Sequence, residues 1–182
     1  MYLAGDQIVH PRYGAGIITG QKAVTLYGKT RKYHIVELVG NRGEVMIPID
    51  TADDMDIRPA IKNMDIIEEI FSAPPRELSD DYRARQAKIE KQIKTREPEA
   101  MAKALRDLAW REHTDKLTSV ELKMKSKLVK MLSREMAVIR PAVNVEKATN
   151  TLTQMIYEML QLHEPDDVEK IEEVDDDEVV ST

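Results

Sequence analysis

Basic residues recur at helical spacing between residues 117 and 140, and this pattern is suited to binding phosphate. Lys123, Lys127, Lys130 and Arg134 follow the intervals i, i+4, i+7 and i+11, which place them on one strip of a helix. Contacts between such a strip and phosphate groups supply affinity but little sequence information. The alternative is a charged face that only keeps the helix soluble.

Tyr82 is a candidate for contact with bases, because it stands in the basic segment "DDYRARQAK" just beyond a proline pair. The ring shares an angle with Ile89 and Ile93, so it could begin the buried strip of a helix. It could also project from the first turn, with Arg83, Arg85 and Lys88 close by. Both readings stay open on the sequence alone.

Trp110 is the second aromatic candidate, and it is the single tryptophan of the chain. It lies about 180° around its predicted helix from Met101, on the side away from the apolar strip. An indole in that position is either packed against another helix or exposed for binding.

No pattern typical of catalysis is present. The chain has no cysteine, and its four histidines are scattered, with none at metal-ligand spacing. The stretch "YGKT" at 27–30 resembles half of a phosphate-binding loop, but Ala23 stands where that pattern requires glycine, and the flanks predict a hairpin. We therefore expect a protein that is not an enzyme and that uses no cofactor or metal.

The elements that position these residues change character along the chain. Residues 1–58 alternate β-branched residues between glycine turns, which predicts a small, strongly bent antiparallel sheet or barrel. From Asn63 onward the apolar period is helical. Helices are predicted over 63–71, from about Ser79 to Thr95 with Asp80 and Asp81 in the first turn, from Pro98 to before Lys116, from Thr118 to about Arg140, and from Asn144 to about Leu162.

Capping signals support two of these helices. Thr118 and Glu121 fit a capping box, and Asn144 can cap the last helix. The helix after Thr118 is expected to pack through an apolar strip beside the basic one. Its members are Leu117, Val120, Met124, Leu128 and Met131.

Charge is distributed unevenly along the chain. Basic and acidic residues number 7 and 7 in residues 1–60, 18 and 14 in 61–140, and 2 and 12 in 141–182. The net charge of −6 therefore comes from the last segment and does not argue against a nucleic-acid surface in the middle. Dense like charge with little apolar mass predicts a disordered acidic tail beyond Pro165.

The opening residues "MYLAGDQIVH" contain no basic stretch followed by an apolar run, and about 18 consecutive apolar residues occur nowhere. We expect a soluble, cytoplasmic protein with no membrane partner.

Two parts of the chain carry motifs of one known family. In the helical part, these motifs are "RDL" at 106–108 and "LTSVELKMKSK" at 117–127. In the β part, the matching positions are Gly5, Asp6, Val9, Pro11, Gly14, Gly16, Gly28, Tyr33, Leu38, Pro48 and Arg58. These motifs resemble the two domains of the CarD/CdnL family, and the likeness covers roughly residues 2–160.

The resemblance implies a fold and a function. Members are bacterial transcription regulators whose Tudor-like N-terminal module binds the β subunit of RNA polymerase by pairing edge strands. Their helical domain contacts promoter DNA at the upstream edge of the melted region. There an aromatic ring wedges into the minor groove while basic residues hold the backbone, which stabilises the open complex.

The resemblance also implies site residues. The family's wedge tryptophan falls on Tyr82, and basic family positions fall on Arg85, Lys123 and Lys127. Together with the residues noted above, the expected DNA contacts are Tyr82, Arg85, Lys88, Trp110, Lys123, Lys127 and Lys130.

Contacts with polymerase are expected at Val24, Lys32, Tyr33 and Met46. Val24 and Met46 stand where the family often carries arginines. Binding to polymerase must therefore depend less on arginine side chains and more on backbone pairing and apolar contact.

The expected architecture is thus α+β. A small Tudor/SH3-like antiparallel β module at 1–60 binds RNA polymerase, a helical domain at 61–163 contacts DNA, and an acidic disordered tail occupies 164–182. We expect a monomer that is associated with the nucleoid through RNA polymerase. The rival reading is a protein–protein adaptor that binds polymerase or another partner without touching DNA.

Overall fold

The computed structural model describes residues 2–40, 42–140 and 143–164. An antiparallel sheet of five strands precedes five α-helices, as the α+β expectation requires. The strands are β1 (Gln7–His10), β2 (Gly14–Leu26), β3 (Lys29–Leu38), β4 (Glu44–Pro48) and β5 (Arg58–Pro59). The helices are α1 (Asp65–Ser72), α2 (Tyr82–Thr95), α3 (Pro98–Thr114), α4 (Ser119–Ile139) and α5 (Val145–His163).

The sheet is built on the long β2–β3 hairpin, and its strand order is β4-β3-β2-β1-β5. Tyr27 and Gly28 form the hairpin turn with positive φ angles of 50° and 75°, which is the reason for a glycine there. The "YGKT" stretch is therefore a hairpin turn, as the sequence predicts. A register shift between Ile18 and Gly20 marks a bulge in β2, and bulges increase the local bend of a sheet.

The alternation of β3 separates the two faces of the sheet. His34, Val36 and Leu38 are buried, while Tyr33 and Ile35 lie on the opposite, outward face. The inner face encloses a small core, whose fully buried apolar members are Ile8, Ile18, Val36, Leu38, Ile47 and Ala52.

The predicted helix caps are present. Thr118 and Glu121 form the complete capping box of α4, and the side chain of Asn144 accepts a hydrogen bond from the backbone N–H of Lys147 at 2.8 Å. One helix start differs from prediction. The side chain of Asp81 accepts the N–H of Arg83, so Asp81 is the N-cap and α2 begins at Tyr82.

The apolar strip expected along α4 is only partly correct. Leu128 is buried, but Val120 is 44% exposed. The side of α4 that faces the helical core carries Leu128, Leu132 and Met136. The core lies further around the helix than predicted because α3 and α5 both pack against α4, and the sequence does not specify where they cross it.

The sheet and the helices are joined through α4. A third apolar cluster contains Val9, Ala15 and Ala60 from the β part and Val138 from α4. Beside it, Arg58 forms two 2.7 Å hydrogen bonds with the carboxylate of Glu135. The expected boundary between modules at residue 60 thus falls where the two parts are in contact. The boundary itself stays a prediction.

Residues 165–182, which make up all but the first residue of the expected acidic tail, lie outside the described residues. Within the described ranges, none of the helices has the length and apolar character needed to cross a membrane.

Candidate nucleic-acid interface

The ring of Tyr82 is held out at the N-terminus of α2. The side chain is 46% exposed, and it does not belong to the helical core, which α2 enters through Ile89 and Ile93. Arg83 covers part of the ring, with its guanidinium carbon 5.5 Å from the ring centroid and Nε donating to the Tyr82 hydroxyl at 3.1 Å. Of the two readings open on the sequence, the structure shows the projecting one.

Arg85, in contrast, is buried and only 4% exposed. Its Nε donates to Oε1 of Glu121 at 2.7 Å, and Nη1 donates to the carbonyl oxygens of Ser79 and Asp80. This geometry does not support the expectation that Arg85 contacts DNA, because the N–H groups of its guanidinium already donate to partners inside the protein. Arg85 instead fixes the segment that leads into Tyr82.

Glu121 is the partner that makes this burial possible. Its Oε2 accepts hydrogen bonds from the backbone N–H and the hydroxyl of Thr118 at 2.8 and 2.9 Å. Burial acts to raise the pKa of Glu121, but the hydrogen bonds from Arg85 and Thr118 outweigh it and hold this pKa below its ordinary value. The carboxylate is therefore ionised, and it neutralises the buried guanidinium.

Lys123, Lys127 and Lys130 are exposed on α4 and line one cleft beside the sheet. The basic strip predicted from the sequence is therefore one surface. Lys88 is also exposed, on α2, but it does not line this cleft. Arg134 continues the strip into a half-buried position.

Trp110 is half-buried and packs against the helical core. Its ring centroid lies 5.8 Å from that of His113, which pairs with Glu164 at the end of α5. Of the two alternatives for Trp110, packed or exposed for binding, the structure shows the packed one. Arg106, on the same helix, is buried and bound to Asp107 and to the carbonyl oxygen of Ile70.

The expected polymerase contacts divide between the two faces of the sheet. Val24 is paired with Arg31, and Met46 with Ile35, so these two side chains lie with Tyr33 on the outward face. Met46 is 53% exposed. Lys32 alternates with Tyr33 and points to the other side of the exposed hairpin.

Strand β4 forms an edge of the sheet, because among the described strands it pairs with β3 alone. An edge strand presents backbone N–H and C=O groups to which another chain can add a strand. The outward patch of Val24, Tyr33 and Met46 lies beside this edge.

Two structural links were not found from the sequence. Glu121 was recognised as a capping residue, but its bond to Arg85 joins residues 36 positions apart. Glu135 joins the two parts of the chain through Arg58. The sequence signal that could have indicated these links is a carboxylate at a core-facing position of a helix. Such a carboxylate becomes buried, and a buried carboxylate requires a partner. Within the described ranges, no group of three or more His, Cys, Asp or Glu residues could hold a metal ion.

These features define a two-module binding protein, with an open strand edge on one module and an exposed ring and basic strip on the other. Family models match both modules: the CarD-like/TRCF RID domain at residues 2–61 and the CarD C-terminal domain at residues 66–153. The chain belongs to the CarD/CdnL family, and transcription regulation is its general function.

A relative among known proteins supports this assignment. The candidate transcription factor YdeB of Bacillus subtilis (strain 168) is 28% identical over 142 residues, which are 77% of this chain and 93% of YdeB.

Proposed function

We propose that this protein binds the β subunit of RNA polymerase through its β module and stabilises the promoter open complex through its helical domain. Tyr82 acts as the wedge at the upstream edge of the melted region. Lys123, Lys127 and Lys130 hold the DNA backbone, and Lys88 adds a further phosphate contact from α2. A protein with this function works on the chromosome, in association with polymerase.

The observation that carries the proposal is the exposed ring of Tyr82 on a rigidly held helix start. An aromatic side chain at the surface normally forgoes apolar contacts in the core without gaining another interaction. Here the buried pair of Arg85 and Glu121 fixes the backbone immediately around the ring. A ring that is pre-positioned in this way enters an unstacked base step without first losing conformational entropy.

The wedge is tested by open-complex lifetime. An aromatic ring stacked on a base contributes about 1–3 kcal/mol, and half of this corresponds to roughly a twofold to twelvefold change in an equilibrium. We expect Tyr82→Ala to shorten the lifetime by that factor and Tyr82→Trp to retain it. Tyr157→Ala is the matched control, because Tyr157 is an exposed tyrosine on α5.

Trp110→Ala separates the two candidate rings. This substitution should lower the free energy of unfolding, since the indole packs on the core. It should leave the open-complex lifetime unchanged at a temperature where the variant is folded. A shorter lifetime with Trp110→Ala but not with Tyr82→Ala would show that Trp110, and not Tyr82, is the wedge.

The rival function is a protein adaptor that binds polymerase and a second protein without DNA contact. Salt distinguishes the two functions, because affinity that depends on phosphate contacts falls steeply as salt rises, while apolar docking does not. We expect a steep salt dependence of promoter DNA binding that becomes shallower in the triple variant Lys123→Gln, Lys127→Gln, Lys130→Gln. A salt-independent interaction would support the adaptor.

A further inference from the structure

A cleft between the β module and α4 has a strongly basic lining. Its volume is about 620 Å³, and nine lysine and arginine side chains line it together with one carboxylate, that of Glu135. The cations come from several separate parts of the chain. They include Arg12 in the β1–β2 turn, Arg42 in the β3–β4 turn, Arg96 at the end of α2, and Lys127, Lys130 and Arg134 on α4.

The one carboxylate in the lining is already neutralised. Glu135 is held by two hydrogen bonds from Arg58. Among the residues that the structure describes, Arg12, Arg42 and Arg134 have no acidic side chain within ion-pair distance. The cleft therefore concentrates positive charge that the described residues do not balance.

The surroundings of Arg134 disfavour its positive charge. Burial, and then the nearby charge of Arg42, lower the pKa of Arg134. His10, buried in the same wall, has its pKa lowered by burial and by the charges of Arg96 and Arg12. Like charges repel more strongly where water is partly excluded, so an anion in the cleft would relieve repulsion among groups from both modules.

We propose that this cleft binds a small phosphate-rich anion, of the class of inorganic oligophosphates and nucleoside polyphosphates. A cavity of this volume is in the range of ligand sites, roughly 300–1,000 Å³. Guanidinium groups form paired hydrogen bonds with phosphate oxygens, and three arginines without acidic partners converge here.

A nucleoside ligand finds an additional contact at the cleft. Tyr13 lines it, and the guanidinium carbon of Arg12 lies 5.6 Å from the Tyr13 ring centroid. An aromatic ring beside a guanidinium suits the stacking of a base.

Binding of such an anion would compete with DNA. Lys123, Lys127 and Lys130, which are proposed to hold the DNA backbone, also line the cleft. A small anion would neutralise these lysines and lower the affinity of the helical domain for the promoter. The cleft would thereby make transcription regulation sensitive to the concentration of a soluble phosphate compound.

The test is calorimetric titration of the full chain with inorganic tripolyphosphate, with ATP in the absence of metal, and with a short DNA duplex. We expect saturable binding of tripolyphosphate that weakens at least tenfold in Arg134→Gln and in Arg12→Gln. Neither variant should endanger the fold, since Arg12 is exposed and Arg134 has no acidic partner within the part of the chain that the structure describes. Lys147→Gln, an exposed substitution outside the cleft, is the matched control.

The pKa of His10 gives an independent measurement. Its Nδ1 accepts hydrogen bonds from the backbone N–H groups of Arg12 and Tyr13, so the neutral ring carries its hydrogen on Nε2, and the proton that charges the ring displaces these bonds at Nδ1. In an NMR titration, saturating tripolyphosphate should raise the pKa of His10, because the anion offsets the charges of Arg12 and Arg96. An unchanged pKa would contradict binding at this position.

Besides an unchanged pKa of His10, three calorimetric outcomes overturn the proposal. Heat no larger than that of sodium chloride at matched ionic strength shows that there is no site, and equal weakening by Lys147→Gln shows only non-specific attraction. If duplex binding depends on Arg12 and Arg134 while tripolyphosphate and ATP do not bind, the cleft belongs to the DNA interface alone. Tighter binding of ATP than of tripolyphosphate supports the nucleoside class.

Discussion

At the scale of single residues, arginines of similar sequence context have different roles in this protein. Arg83 and Arg85 are two positions apart, but Arg83 lies over an exposed ring and Arg85 is buried against Glu121. A buried ion pair is not by itself a source of net stability, because desolvation offsets the attraction. Its value here is geometric, since it holds the chain from Ser79 to Tyr82 in one conformation.

Glu121→Gln tests this pair. The substitution leaves the buried guanidinium of Arg85 without its counter-charge, and we expect a loss of about 3–5 kcal/mol in the free energy of unfolding. Urea unfolding at pH 7 measures it. Glu112→Gln, a substitution of a glutamate with greater exposure on α3, should change stability much less. A loss below 1 kcal/mol would show that the pair does not hold α2 in place.

The same pair predicts a pH dependence. Because the pKa of Glu121 is lower in the folded protein than in the unfolded chain, its contribution is fully present above the unfolded pKa of about 4.3. It is lost as pH falls through the folded pKa. The stability difference between the wild-type protein and Glu121→Gln should therefore be largest near neutral pH and shrink below about pH 4. His10 and His34 also destabilise the fold in acid, but their contributions largely cancel in this difference.

At the scale of elements, strand β4 and the outward sheet face provide the proposed anchor on polymerase. The edge offers backbone pairing, and Met46 beside it offers apolar contact. Arg31 on the same face is already paired with Asp50 at 2.9 Å. The anchor is therefore mainly a matter of strand addition and apolar packing.

Met46→Asp is the corresponding prediction. A carboxylate on this face would be desolvated against the partner, and we expect binding to the isolated polymerase β subunit to weaken at least tenfold. Surface plasmon resonance with the immobilised subunit measures this. Leu162→Asp, an apolar-to-acid change at an exposed position of α5, should leave the affinity unchanged. Equal affinity for both variants would place the anchor elsewhere.

At the scale of the whole molecule, the link between the modules determines how the edge strand β4 and the ring of Tyr82 are arranged. The bond between Arg58 and Glu135 is reinforced by Arg58 Nε, which donates to the carbonyl oxygen of Arg96 at 3.0 Å. The carboxylate of Glu135 also accepts the backbone N–H of Ile61 at 3.0 Å. One ion pair thus ties together the end of the sheet, the end of α2 and the C-terminal part of α4. In the proposed function, rigid coupling of this kind would transmit the position of a polymerase-bound sheet to Tyr82.

The acidic segment supplies a prediction at this same scale. Residues 165–182 carry nine acidic residues and one lysine, and they can compete with DNA for the basic strip of α4. Deleting them should tighten binding to promoter DNA at low salt, with a smaller effect as salt rises. A full-length variant with Asn and Gln in place of the nine acids separates charge from length. Unchanged DNA affinity after deletion would dismiss this competition.

Local patterns in the sequence were sufficient to predict the main helices and strands. The alternation in β3, the capping box at Thr118, Asn144 before α5 and the hairpin at Gly28 all have local physical causes, and the structure contains each of them. The family resemblance, and with it the general function, followed from motifs that are contiguous in the chain. The basic strip on α4 also followed from spacing, because helical periodicity alone brings its members together.

Tertiary structure alone decided which charged and aromatic residues are available at the surface. Arg85 and Trp110 have surroundings in the sequence that resemble those of Lys88 and Tyr82, but they are withdrawn by contacts with Glu121 and with the helical core. The cleft likewise depends on turns and helices that are far apart in the chain. Exposure and electrostatic environment are properties of packing between distant segments, so no local pattern could specify them.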